Sequence, residues 1–238
     1  MPHIKRFLFI ILFIVFFLSV VLNIFFIKRG NYINKLLSKM GLADREAVVD
    51  YTLNSWISSL SEMNYDADVV FIGDSIICDG KWQTYFPGIK VVNLGLSGDT
   101  IEGVTKRVSM ISHLNPEKIF VQIGINSIGN TGIEVGIEQY ENMVHSIHEL
   151  NPESKVYIIS LLPVSLQSQK DKTSNLEIQM FNKKLVDLSE RCCLEYIDVS
   201  NCFIYEGYMN PAYSTDGIHL NDDGYLIWAE KMKKSVNE

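Results

Sequence analysis

Little in this chain could hold it together other than its own core. There are four cysteines among 238 residues, and their spacing fits no zinc pattern. Cys192 and Cys193 are adjacent, Cys78 stands apart, and Cys202 follows a strand-like run. If that run is extended, Cys193 and Cys202 lie roughly 25–30 Å apart, beyond disulfide reach. The cysteines therefore read as free thiols. Histidine is equally sparse. His145 and His148 fall on one predicted helix facing solvent, without the carboxylate arrangement of a metal site, and His3 and His113 have no evident partners. A phosphate-cradling glycine loop is absent too: the first strand runs into GDSIICDG, which cannot serve a nucleotide or flavin. No cofactor and no metal are expected. No repeat, low-complexity tract or long Gly/Ser linker follows residue 63, so one folded domain accounts for the remainder.

Basic charge is scarce as well. Residues 1–30 hold four of the 21 Lys/Arg and none of the 28 Asp/Glu, so the rest of the chain has 17 basic against 28 acidic groups, a formal charge of −11. Such a domain is a poor nucleic-acid binder. Residues 7–27 form the other extreme, 21 residues with no charge at all. As a helix they would reach about 31 Å at roughly 1.5 Å per residue, the thickness of a bilayer core. The run ends in Phe25-Phe26-Ile27-Lys28-Arg29 with no small-residue cleavage site, which favours an uncleaved single-pass membrane anchor over a signal peptide. Lys28, Arg29, Lys35 and Lys39 follow it against Lys5 and Arg6 before it. Those charges lean toward a cytoplasmic domain, but long domains translocate largely regardless of such counts, and an extracytoplasmic domain is expected. The predicted organisation is an anchor over 1–30, a stalk and leading helices over 31–63, and a catalytic domain over 64–238.

Within that domain short β-branched runs alternate with amphipathic stretches. Strands are predicted over 69–72, 91–94, 119–123, 156–161 and 196–199, and helices over 100–113, 133–150, 174–191 and 223–236. Strands apolar throughout are buried on both faces, which means a parallel sheet between helices. The alternation predicts a three-layer α/β/α sandwich around five parallel strands. Ligands of such sheets bind beyond the carboxyl ends of the strands. Ser75 follows the first strand, Ser97-Gly98-Asp99 the second and Gly124-Ile125-Asn126 the third.

A last block, YSTDGIHLNDDGY, supplies Asp216 and His219 three residues apart in the loop before the final helix. An acyl-transferring serine needs a histidine to take its proton, a carboxylate to orient the imidazole and donors for the developing oxyanion. Ser75, His219 and Asp216 match the first three roles. The backbone N–H groups of Ser75 and Gly98 and the side-chain amide of Asn126 match the donors. Any one block alone is an ordinary turn or helix start; the ordered set is not.

Gly73-Asp74-Ser75, NLGLSGDT at 93–100, GINS at 124–127, LLPV at 161–164 and DGIHLN at 216–221 together resemble the SGNH (GDSL) hydrolase superfamily. The nearest branch is that of platelet-activating-factor acetylhydrolase-like and carbohydrate-acetyl esterases. The resemblance spans residues 67–228 and implies a flavodoxin-like fold. It also implies Ser75 as nucleophile, Gly98 and Asn126 as oxyanion donors, and Asp216 and His219 as the rest of the triad. Ser127 departs from the pattern, which usually has Asp there. An ester of a glycan or lipid is the expected substrate. An acyltransferase with the same triad, a lysophospholipase-type esterase and a catalytically silent binding module are the alternatives. The predicted loop 165–174, SLQSQKDKTS, is polar, with Leu166 its only large apolar residue. That favours a short acyl group, acetyl above all.

Overall fold

The computed structural model describes residues 66–170 and 173–238, together with Ser19. The expected anchor, stalk and leading helices lie outside the described residues. Among the described residues no helix is long and apolar enough to cross a membrane.

Five strands form one parallel sheet: β1 (Val69–Gly73), β2 (Val91–Gly95), β3 (Lys118–Gln122), β4 (Lys155–Ile159) and β5 (Glu195–Ile197). Their order is β2-β1-β3-β4-β5, the flavodoxin-like order, whose winding direction reverses between β1 and β3. Ser75 and Asn126 follow those two strands and flank the switch point. β1 is buried at every position, as a central strand covered on both faces must be.

Alternate residues of each strand build two cores. On one face Phe71 stacks on Phe120 and Phe120 on Tyr157, with ring centroids 4.9 and 4.5 Å apart. Trp82 and Trp228 close over this row, 4.4 Å from each other. They come from α2 (Trp82–Tyr85), which follows the single-turn α1 (Ser75–Cys78), and from the last helix α8 (Asp222–Asn237). The opposite core contains Ile72, Val121 and Ile158 under helices α3 (Ile101–Lys106), α4 (Ser109–Ser112), α6 (Ile133–Leu150) and α7 (Asn175–Arg191). Tyr140 of α6 meets Phe181 of α7 edge-on at 6.2 Å.

Several local expectations are corrected. The helix predicted over 100–113 is two helices, because Arg107 turns fully inward and interrupts the amphipathic face. Thr100 caps α3 by accepting from the Gly103 N–H. Asn221 caps α8 by accepting from the Gly224 N–H, and Asp222 pairs with Lys81 at 2.9 Å. The strand predicted over 156–161 leaves the ladder at Ile159, and β5 is shorter than 196–199 suggested. A helix over Ile125–Thr131, α5, and a two-residue hairpin of Ile204–Tyr205 with Tyr208–Met209 were not anticipated.

Candidate active site

The turn out of β1 is shaped by what cannot fit. A Cβ on Gly73 would lie 2.0 Å from the Gln122 carbonyl oxygen, and one on Gly95 2.2 Å from the Cys78 backbone nitrogen. Gly73 lets the end of β1 crowd against β3 and the first helix turn, and Gly95 lets β2 crowd against that same turn, so the chain turns sharply as it leaves the sheet. Asp74 caps α1, its carboxylate accepting from the Ile76 N–H at 3.1 Å. Ser75 takes the first helical position, where an N–H has no intrahelical acceptor.

The loop before α8 is equally constrained. Gly217 has φ +80° and packs where a Cβ would meet the Ser165 hydroxyl at 2.2 Å. Its N–H donates to the Ser214 hydroxyl at 2.9 Å, and its carbonyl accepts from Ser165 N–H at 2.8 Å. Asp216 then folds back over its own loop. Oδ1 accepts from the N–H groups of Ile218 at 2.9 Å and His219 at 2.8 Å, leaving Oδ2 for the imidazole Nδ1 at 2.6 Å. Partial burial pushes this carboxyl up. The imidazole bond, the two N–H donors and the histidine's charge outweigh that and hold it down at about 2. His219 Nε2 lies 2.9 Å from Ser75 Oγ. The hydroxyl, imidazole and carboxylate thus form one continuous chain across 144 residues of sequence.

Gly98 lies in the loop after β2 and Asn126 in the first turn of α5, after β3. Asp99 N–H donates to the Leu96 carbonyl at 3.0 Å, closing a turn in which Gly98 has φ +78°, the positive value a type II turn requires of its third residue. Asn126 Nδ2 donates to the Asp99 carbonyl at 3.0 Å, which fixes the amide and leaves a second N–H. Ser127 is buried, and its hydroxyl accepts from the Ile101 N–H at 2.9 Å. Where the resemblance places Asp, Ser127 therefore still ties the third loop to the start of α3.

Two buried charged groups stand behind the site, Arg107 outside every motif and Asp74 within Gly73-Asp74-Ser75. Arg107 is fully buried and donates from Nε to Asp99 Oδ2 at 2.8 Å, from Nη1 to the Leu94 carbonyl at 2.5 Å and from Nη2 to the Gly73 carbonyl at 3.0 Å. Asp74 is buried beside it. Desolvation, with Asp99's charge, pushes its carboxyl up to about 7 against the opposing pull of Ile76 N–H, His219 and Arg107. Asp74 and Asp99 fall in the motif blocks, whereas Arg107, in an amphipathic stretch, reads in sequence as an ordinary surface arginine.

A cavity of about 20 Å³, room for one or two waters, lies against Asp74 and Gln122 at the ends of β1 and β3. Ile76, Ile125 and Ile218 line it, each a chain neighbour of Ser75, Asn126 or His219, and Leu161 and Leu162 close it.

A doubly wound sheet with a hydroxyl–imidazole–carboxylate chain at its carboxyl edge is the architecture of a serine ester hydrolase. Residues 71–227 match the GDSL-like lipase/acylhydrolase family, and the chain belongs to that family. It is 27% identical over 182 residues to platelet-activating factor acetylhydrolase IB subunit alpha2 of Rattus norvegicus, covering 73% of this chain and 76% of the relative. Among solved structures, a GDSL-like lipase from Bacteroides thetaiotaomicron superposes with a TM-score of 0.67 at 20% identity, over 77% of this chain and 96% of the other. An acetylxylan esterase from Geobacillus stearothermophilus gives 0.58 at 18% identity, over 74% and 96%. The protein is an SGNH-type serine ester hydrolase.

Asp74 generates a pH prediction. Its carboxyl goes from an ordinary 3.8 to about 7 on folding, so between those values the folded state holds a proton that the unfolded state has lost. Stability therefore falls as pH rises through this window. Asp74→Asn keeps the cap and removes the titration. Urea unfolding should show the variant more stable than the parent at pH 8 and equal to it near pH 4; a difference independent of pH would contradict the assignment.

Proposed function

We propose that Ser75 attacks the ester carbonyl carbon while His219 Nε2 takes its proton, with Asp216 holding the Nδ1–H. The C–O bond to the alcohol then breaks, and the imidazolium returns its proton to the leaving oxygen. Water, deprotonated by the same imidazole, cleaves the acyl-enzyme and releases the acid. Ser75 N–H, Gly98 N–H and Asn126 Nδ2 are the donors for the oxyanion, which need no reorganisation because the type II turn and the Asp99 carbonyl already fix them. The observation that carries this assignment is the unbroken chain Oγ–Nε2 at 2.9 Å and Nδ1–Oδ2 at 2.6 Å.

The substrate we infer is a short-chain, acetyl-type ester of a glycan or lipid. Three observations support it. The cavity lined by Ile76, Ile125 and Ile218, the chain neighbours of Ser75, Asn126 and His219, is small, about 20 Å³. Leu166, in the neighbouring loop, is 60% exposed instead of walling a groove. Both platelet-activating factor acetylhydrolase and acetylxylan esterase, names carried by a relative and a structural neighbour, are acetyl-ester activities. A true acyl groove would gain about 0.8 kcal/mol per buried methylene, roughly a fourfold rise in kcat/KM for each. With p-nitrophenyl esters from acetate to palmitate, kcat/KM should peak at acetate or propionate, and Ser75→Ala should abolish turnover at every length. A maximum at eight carbons or beyond would overturn the short-chain assignment.

Residues 7–27 are read as a single-pass anchor holding residues 64–238 outside the cytoplasm. The support is the uncharged run of 21 residues, long enough to span a bilayer. The full-length protein should sediment with membranes and be degraded by protease added to intact spheroplasts. Recovery in the soluble fraction, or full protection, would contradict it.

A further inference from the structure

Glu141 and His145 lie four residues apart on α6, on one face of the helix. The end of α7 brings Cys192 to the same place, and one donor atom from each of the three lies within 4.8 Å of the others. The expectation that His145 lacks a metal-type carboxylate arrangement therefore does not hold. Its carboxylate is one helical turn away, and its third partner comes from another helix.

The backbone under these donors is held firmly. Lys184 pairs with Glu134 at 3.0 Å and Arg191 with Glu141 at 3.1 Å, so two ion pairs, each seven residues along from the other, tie α7 to α6. Leu194 N–H donates to the Ser189 carbonyl at 2.8 Å and Cys193 N–H to the Glu190 carbonyl at 3.3 Å, the two bonds of a Schellman helix end. Cys193 occupies the left-handed position of that motif, φ +54°, where glycine is usual. The turn fixes Cys192 in place above α6.

We propose that Glu141, His145 and Cys192 form a binding site for a zinc-like divalent cation that clamps the end of α7 to α6. One carboxylate, one imidazole and one thiolate make a mixed O/N/S donor set that suits Zn²⁺ and disfavours Mg²⁺ or Ca²⁺. Tetrahedral bonds of about 2.0–2.3 Å put donors roughly 3.4–3.7 Å apart, a contraction of about 1 Å that side-chain rotation supplies. Arg191 takes Oε2 of Glu141; the carboxylate's other oxygen is the ligand. Binding forms the Zn–S bond and releases the thiol proton to solvent. His145 is exposed and Glu141 and Cys192 half-buried, so the fourth position is open to water. The site lies at the end of α7 that leads into the amino end of β5, the edge of the sheet opposite Ser75.

The test uses the full chain, stripped with a chelator and then titrated with Zn²⁺ against a chromophoric competitor and, separately, with Co²⁺. One zinc should bind per chain, and cobalt should give a near-ultraviolet thiolate-to-metal band. His145→Ala and Cys192→Ser should each weaken zinc binding at least tenfold, and Cys192→Ser should remove the band. Cys193→Ser should keep both. Metal-free variants should melt with the parent, and ester hydrolysis should be unchanged in all of them. Zinc binding equal to the parent's in His145→Ala, a band that survives Cys192→Ser or vanishes with Cys193→Ser, or no zinc bound at micromolar concentration would overturn the site.

Discussion

The catalytic edge of this protein is organised around one buried guanidinium. Arg107 has no solvent exposure, yet its planar fork reaches the Gly73 carbonyl at the end of β1, the Leu94 carbonyl near the end of β2 and the Asp99 carboxylate just after Gly98. Asp99 extends the reach, because its own carbonyl accepts from Asn126. One side chain thus links the segments that carry Ser75, Gly98 and Asn126. Its charge is tolerable only because Asp99 is there, 2.7 Å away and equally buried. Removing one member of such a pair leaves an uncompensated charge, at a cost of about 3–5 kcal/mol. Lysine could not substitute, since a point charge cannot bond three differently placed oxygens from one plane.

The catalytic loop before α8 is built differently. It is partly exposed around Asp216, with Leu220 anchoring its end in the core, and local bonds shape it: Ser214 to Gly217, Gly217 to Ser165, and Asp216 to the two N–H groups that follow it. A buried half carries Ser75, Gly98 and Asn126, the proposed nucleophile and oxyanion donors; a self-bonded surface half carries His219, the proposed base. They meet at the hydrogen bond between His219 and Ser75. The division suits a reaction in which the donors must not move while the imidazole passes a proton in each direction.

What could be read from the sequence follows from how local each signal is. The strands were legible because a two-sided apolar run has few other uses, and β1 and β2 end one residue beyond the predicted limits. Helix α6 was legible to the residue, 133–150, because its apolar stripe is unbroken. The helix broken at Arg107 was not, because inward-facing arginine fits the periodicity of a solvent face until its buried partner is known. The capping roles of Thr100 and Asn221 needed φ/ψ, which composition does not supply. Ser75, Asp216 and His219, which the structure joins by hydrogen bonds, stood out in the sequence as parts of an ordered set of blocks. The cluster of Glu141, His145 and Cys192 did not, since it joins two helices about fifty residues apart in sequence and follows no local spacing.

The central claim is that Ser75 becomes covalently acylated during turnover. Acid-quenching the enzyme during hydrolysis of p-nitrophenyl acetate, followed by peptide mass analysis, observes that species directly. The account predicts a single acetyl group on the peptide containing Ser75, absent from Ser75→Ala. An acetyl group on another residue, or sustained turnover with no acyl-enzyme while Ser75→Ala remains active, would contradict it.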